Sequence, residues 1–97
     1  MTDTCARLER LSPQKLEDRF WWRQTDILRA LRAPSSARVY ALVPPEHRKR
    51  LTVGQWPMKQ TIGLVDRAGV ERLILRYGGT TPRAALLEAL DRGAYDS

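Results

Sequence analysis

Apolar positions recur at helical spacing along most of this chain. Ser12-Pro13 makes a helix start, with Ser as the cap and Pro where a missing N–H costs nothing. From there Leu16, Phe20, Ile27 and Leu31, with Trp21 and Leu28 beside them, fall on one stripe. The spacing predicts one helix over residues 12 to 32, stopped by Pro34. Ser35-Ser36 then caps a short helix to Leu42, and Pro44-Pro45 breaks it. Pro45-Glu46 reads as the first turn of another short helix to Leu51. The rival for this stretch is a hairpin of two strands, Val39 to Val43 and Arg50 to Val53, because both segments carry β-branched residues.

After a loop at Gly54 to Trp56, Pro57 opens a predicted helix with Met58, Ile62 and Val65 on one face. Arg67-Ala68-Gly69 interrupts it. Val70, Leu73, Ile74 and Tyr77 give a further amphipathic helix that ends at Gly78-Gly79, a pair suited to a left-handed cap. Thr80-Thr81-Pro82 starts the last helix, striped by Ala84, Leu87 and Leu90 with Leu86 alongside. The expected fold is therefore all-α: a small bundle of four to six helices, closing on a helix-turn-helix-like hairpin. Residues 1–97 are expected to form a single helical domain, with 1–11 and 94–97 frayed.

Composition agrees with a globular domain of this size: 97 residues, 42% hydrophobic and 29% charged. A chain this short buries a modest share of its surface, so a homodimer is a standing expectation. The single cysteine, Cys5, excludes an internal disulfide, and no apolar run approaches the length of a membrane helix. With no secretory leader visible, a cytoplasmic location is expected, without membrane association.

The charge changes the picture more by its position than by its size. Of the net +6, residues 29 to 60 hold all of it: Arg29, Arg32, Arg38, Arg48, Lys49, Arg50 and Lys59 against Glu46 alone. A polyanion is drawn first to this segment, where His47-Arg48-Lys49-Arg50 is the densest run; the same run also fits a plainly solvated face. Trp22 stands among Asp18, Arg19, Thr25, Asp26 and Arg29 at helical spacing, and so projects from the polar side of the predicted first helix. Trp and Arg dominate protein interfaces, which makes Trp22, Arg19 and Arg29 a candidate protein-binding surface.

Residues 70 to 92 run from apolar residues through Arg76-Tyr77-Gly78 and Thr80-Thr81 into a second apolar-striped helix. That order resembles the helix-turn-helix of DNA-binding regulators, and in particular the carboxy-terminal motif of phage Mor-type middle-operon activators. The resemblance implies that the second helix enters the major groove, with Thr80, Thr81 and Arg83 meeting bases or phosphates and Arg76 nearby. Arg48, Lys49 and Arg50 would add backbone affinity.

Enzyme chemistry is not expected. One histidine and one cysteine cannot supply a four-ligand zinc site, no phosphate loop of the G-x-x-x-x-G-K-[ST] kind is present, and no cofactor or metal is anticipated. The leading expectation is thus a small basic DNA-binding transcriptional regulator of phage or mobile-element type. The alternative is a protein-binding adaptor, for example a phage-encoded inhibitor that grips a host machine through its Trp and Arg surface.

Overall fold

The computed structural model describes residues 3–34 and 38–95, with the side chains of Asp3 and Tyr95 left aside. The described residues are 49% helix and 24% strand, a mixed α and β content that overturns the all-α expectation. Helix α1 (Asp3–Glu9) is followed by strands β1 (Gln14–Leu16) and β2 (Arg19–Arg23) and by helix α2 (Gln24–Ala30). Then come a single-turn helix α3 (Val39–Leu42), a 3-10 turn at Pro45–His47, and strands β3 (Arg48–Val53) and β4 (Gln60–Asp66). Helices α4 (Arg67–Tyr77) and α5 (Arg83–Tyr95) complete the chain. The four strands form one antiparallel sheet in the order β1-β2-β4-β3.

The predicted helix over residues 12 to 32 fails at Glu17-Asp18. Both residues have left-handed backbones, with φ of 55° and 62°, and they connect the flanking pair Leu16↔Arg19 as a two-residue hairpin loop. Positive φ at both central positions is what a tight hairpin matching strand twist requires. Beyond the turn, Phe20, Trp21 and Trp22 enter the sheet, and neighbouring residues face opposite sides of it. Both indoles can therefore be buried at once, at 4% exposure for Trp21 and 2% for Trp22. A single helix stripe could hide only one of them. This corrects the placement of Trp22 on a solvent face.

The second correction concerns residues 57 to 66. Met58, Ile62 and Val65 fit a helix stripe, but the segment from Gln60 is β4, paired to β2 through Trp22↔Val65 and to β3 through Arg48↔Val65. The short helix expected to run from Pro45 to Leu51 stops after one turn and gives way to β3. That strand pairs with β4, not with residues 39 to 43 as the rival hairpin reading had it; Val39–Leu42 is helical. The predicted cap at Ser35-Ser36 lies outside the described residues.

Helices cover the face of the sheet that presents Trp22 and Val65. Strand β4 runs straight into α4, whose Val70, Leu73 and Ile74 join Ile27 and Leu31, Val39 and Val43, and the α5 residues Leu86, Ala89 and Leu90 in one core. No helix among the described residues is long and apolar enough to cross a membrane.

Residues 3 to 9, expected to be frayed, instead form α1, with Leu8 fully buried and the helix laid along α5. The approach is close enough that a Cβ on Gly93 would come within 2.4 Å of the Glu9 carbonyl oxygen. Helix propensity alone predicts that Gly93→Ala stabilises by up to about 1 kcal/mol. Because the obstacle is backbone, we expect the opposite, a net loss of roughly 1–3 kcal/mol from forced overpacking, read as a lower urea midpoint.

Candidate nucleic-acid interface

The geometry of the basic cluster follows from strand alternation. Arg48 pairs with Val65 and Arg50 with Gly63, so both lie on the helix-covered face, while Lys49, opposite Leu64, lies on the other. On that other face Lys49 and Arg19 stand over the Trp21 ring, 5.7 and 5.6 Å from its centroid. Lys49 also reaches the Glu17 carboxylate at the β1–β2 turn. The hydrogen bond and charge of Lys49 hold Glu17 below the usual carboxylate range. With a depressed folded-state pKa, this contact is present above the ordinary Glu range and is lost as the pH falls through the folded value.

Arg48 and Arg50 face a groove of about 590 Å³ between the sheet and helices α2 and α3. The sheet contributes Thr61 and Gly63 beside the arginines, and the helices and the turn after them contribute Gln24, Thr25, Leu28, Val39, Tyr40 and Pro45. No acid lines it. Gly63 keeps the floor open: a Cβ there would fall within 2.7–2.9 Å of the Gln24 carboxamide, which occupies that space instead. Neither arginine side chain makes an ion pair among the described residues, and Arg48 Nε is buried without a hydrogen-bond partner. A buried donor without an acceptor is unfavourable, so Arg48 Nε is a local cost of this packing.

The hairpin continues past the groove. Residues 54–60 are exposed, and the tip carries Trp56 and Met58, each 81% exposed, followed by Lys59. Exposed aromatic and apolar groups next to cations are the composition of surfaces that meet nucleic-acid bases and backbone together.

At the other end of β4, Asp66 is 3% exposed and joins three elements. Its Oδ1 accepts from the Gly69 N–H at 2.8 Å, capping α4, and its Oδ2 meets Arg19 Nη1 at 2.8 Å and His47 Nδ1 at 2.9 Å. His47 is thereby oriented at the start of β3, directly before the cationic run. The cysteine, Cys5, lies in the α1–α5 contact, its Sγ 3.9 Å from the Ala85 carbonyl oxygen. Among the described residues no group of three or more His, Cys, Asp or Glu is placed to hold a metal ion.

The residues singled out from the sequence separate into three groups. Arg48, Lys49 and Arg50 all line the groove, although the Lys49 head group is taken up on the opposite face. Thr80, Thr81, Arg76 and Arg83 sit at the α4–α5 turn, where Arg76 lies over the Tyr77 ring and Arg83 is 3.8 Å from Glu71. Helix α5 presents Glu88 and Arg92 outward, and Arg92 meets both Glu88 and Glu9. Arg83 and Arg92 of this hairpin thus have acidic partners, as Lys49 of β3 does, whereas no ion pair holds Arg48 or Arg50 among the described residues. The proposed protein-binding set does not assemble: Trp22 is in the core, Arg19 is bound to Asp66, and Arg29 borders a small cleft with Arg7, Arg10 and Asp26.

Gln24, Tyr40 and Asp66 escaped the sequence reading. Only Asp66 had a local signal, as an acid three residues before Gly69 at the head of a helix. Protein-family models, curated proteins and solved structures yield no match to this chain.

Proposed function

We propose that this chain binds nucleic acid, with the β3–β4 hairpin and the groove beside it as the contact surface. The observation that carries this reading is the pair Arg48 and Arg50, side by side on one sheet face, without acidic partners among the described residues. Lys59 extends the positive charge along the same hairpin towards Trp56 and Met58. Beyond the β2 pairing, Arg50–Val53 and Gln60–Gly63 form a two-stranded ribbon narrow enough to follow a nucleic-acid groove. The segment-level excess of +6 in residues 29 to 60 supplies the long-range attraction.

A regulator of the phage-activator kind, implied by residues 70 to 92, would draw its phosphate affinity from this hairpin. Of the α4–α5 cations, Arg83 and Arg92 are paired with Glu71, Glu88 and Glu9. Trp22, the anchor of the adaptor reading, is unavailable to a partner.

The test is the salt dependence of binding. Three phosphate contacts, from Arg48, Arg50 and Lys59, give an expected 20- to 40-fold loss of affinity between about 50 and 200 mM salt, read by fluorescence anisotropy with labelled oligonucleotides. The double substitution Arg48→Ala with Arg50→Ala should remove about two counterions from the slope, weakening all sequences alike. Absence of binding by folded protein at about 50 mM salt would refute the reading.

A further inference from the structure

The groove is unlike a surface that merely tracks a backbone, because its lining combines cations with amide, hydroxyl and apolar groups. Arg48, Arg50 and Thr61 reach it from the sheet, and Gln24 from α2 and Tyr40 from α3 face it from the helices, Tyr40 being 65% exposed. Its volume of about 590 Å³ is within the range of pockets that enclose small organic ligands. The Arg48 and Arg50 guanidinium groups, held in no ion pair among the described residues, suit an oxygen anion. Gln24, lying over the bare backbone at Gly63, offers both an amide donor and an amide acceptor, the pair that reads a base edge. An exposed phenol ring beside Leu28 and Pro45 offers a flat apolar surface for stacking.

A duplex satisfies only half of this arrangement. Its phosphates can reach Arg48 and Arg50, but its bases are held in the stack and cannot enter a pocket without being extruded. An unpaired nucleotide brings a phosphate for the cations together with a free base face and edge for the amide and aromatic groups. Resting on the nucleic-acid reading above, we infer that the groove receives one nucleotide of a single strand. Its base stacks on Tyr40, its edge meets Gln24, and its phosphate lies on Arg48 and Arg50. Single-stranded nucleic acid is then the preferred ligand class of the hairpin, because each base has a face to stack while the cations follow the backbone.

The experiment compares a labelled single strand of about 16 nucleotides with the duplex of the same sequence, by anisotropy at low salt. Tighter binding of the single strand is expected, with a loss of roughly tenfold on Tyr40→Ala that Tyr40→Phe avoids and that duplex binding does not share. Tyr40 is largely solvent-exposed, and far-UV circular dichroism and thermal unfolding check that its variants are folded. Duplex binding as tight as single-strand binding, or a single-strand affinity that Tyr40→Ala leaves unchanged, overturns the groove assignment while the cationic hairpin still stands. Binding of neither form by folded protein defeats the underlying reading, and with it this one.

Discussion

Trp22→Ala is expected to lower the stability of this protein by about 3–5 kcal/mol, the range for removing a fully buried large aromatic from a core. A domain of this length has a total stability on the order of 5–15 kcal/mol, so the variant should lose a large fraction of it, from roughly a fifth upward. Thermal unfolding should move down by roughly 12 °C or more. The cause is positional: Trp22 is 2% exposed, packs with Phe20 at 6.3 Å between ring centroids, and fills the space between the sheet and helices α2, α4 and α5. Trp22→Phe isolates the packing contribution, since it keeps an aromatic ring and removes the indole Nε1, which is buried without a partner. Its expected cost is well below that of the alanine variant, because deleting an unsatisfied polar group offsets part of the lost volume. A Trp22→Ala protein with unchanged Tm would put the side chain on the surface and return it to the set of candidate partner contacts.

Asp66→Ala is the second large effect expected. The carboxylate caps α4 through Gly69 and receives Arg19 and His47 on its other oxygen. Loss of a side-chain cap costs about 1 kcal/mol, within a range of roughly 0.5–2. A hydrogen bond to a charged group adds about 1.5–3 kcal/mol. A total of roughly 2–4 kcal/mol follows, measurable by urea titration. Asp66→Asn keeps an oxygen for the Gly69 N–H and should recover the cap portion only. Arg19→Ala is the contrasting control. Arg19 has a side chain 51% exposed, and a pair that is half in water contributes at most about 1 kcal/mol. Equal losses from Asp66→Ala and Arg19→Ala would mean that the ion pair, and not the helix cap, is what Asp66 supplies.

These two residues also mark where the sequence could be read and where it could not. The cluster Arg48-Lys49-Arg50 was legible as charge from its density alone. Its division into two arginines in a groove and a lysine over Trp21 required the knowledge that β3 is a strand, since only a period of two sends neighbours to opposite faces. Tyr40 and Gln24 had no signal, because each becomes part of a site only when α2 and α3 come to lie beside β3 and β4. Trp22 gave a misleading signal: with helical spacing assumed, its charged neighbours implied a polar face.

What the sequence by itself determined are the features governed by contacts within a few residues. Val70, Leu73 and Ile74 with the Gly78 end mark the body and C-terminal end of α4, and the apolar stripe after Pro82 marks α5; the break expected at Arg67-Ala68-Gly69 is instead the first turn of α4, which Asp66 caps across the strand-to-helix junction. The proline break before the basic run and the location of the net charge are equally local. What the tertiary structure decided is the sheet. Trp22 meets Val65 more than 40 positions away, and Arg48 meets Val65 across a long hairpin. A strand's hydrogen bonds go to partners that the local sequence does not contain, so Leu16, Phe20 and Ile27 fit a helix stripe as well as they fit the strands and helix that form. Helices satisfy their own backbone and announce themselves by periodicity, whereas each of these strands is stable only once its neighbour is in place.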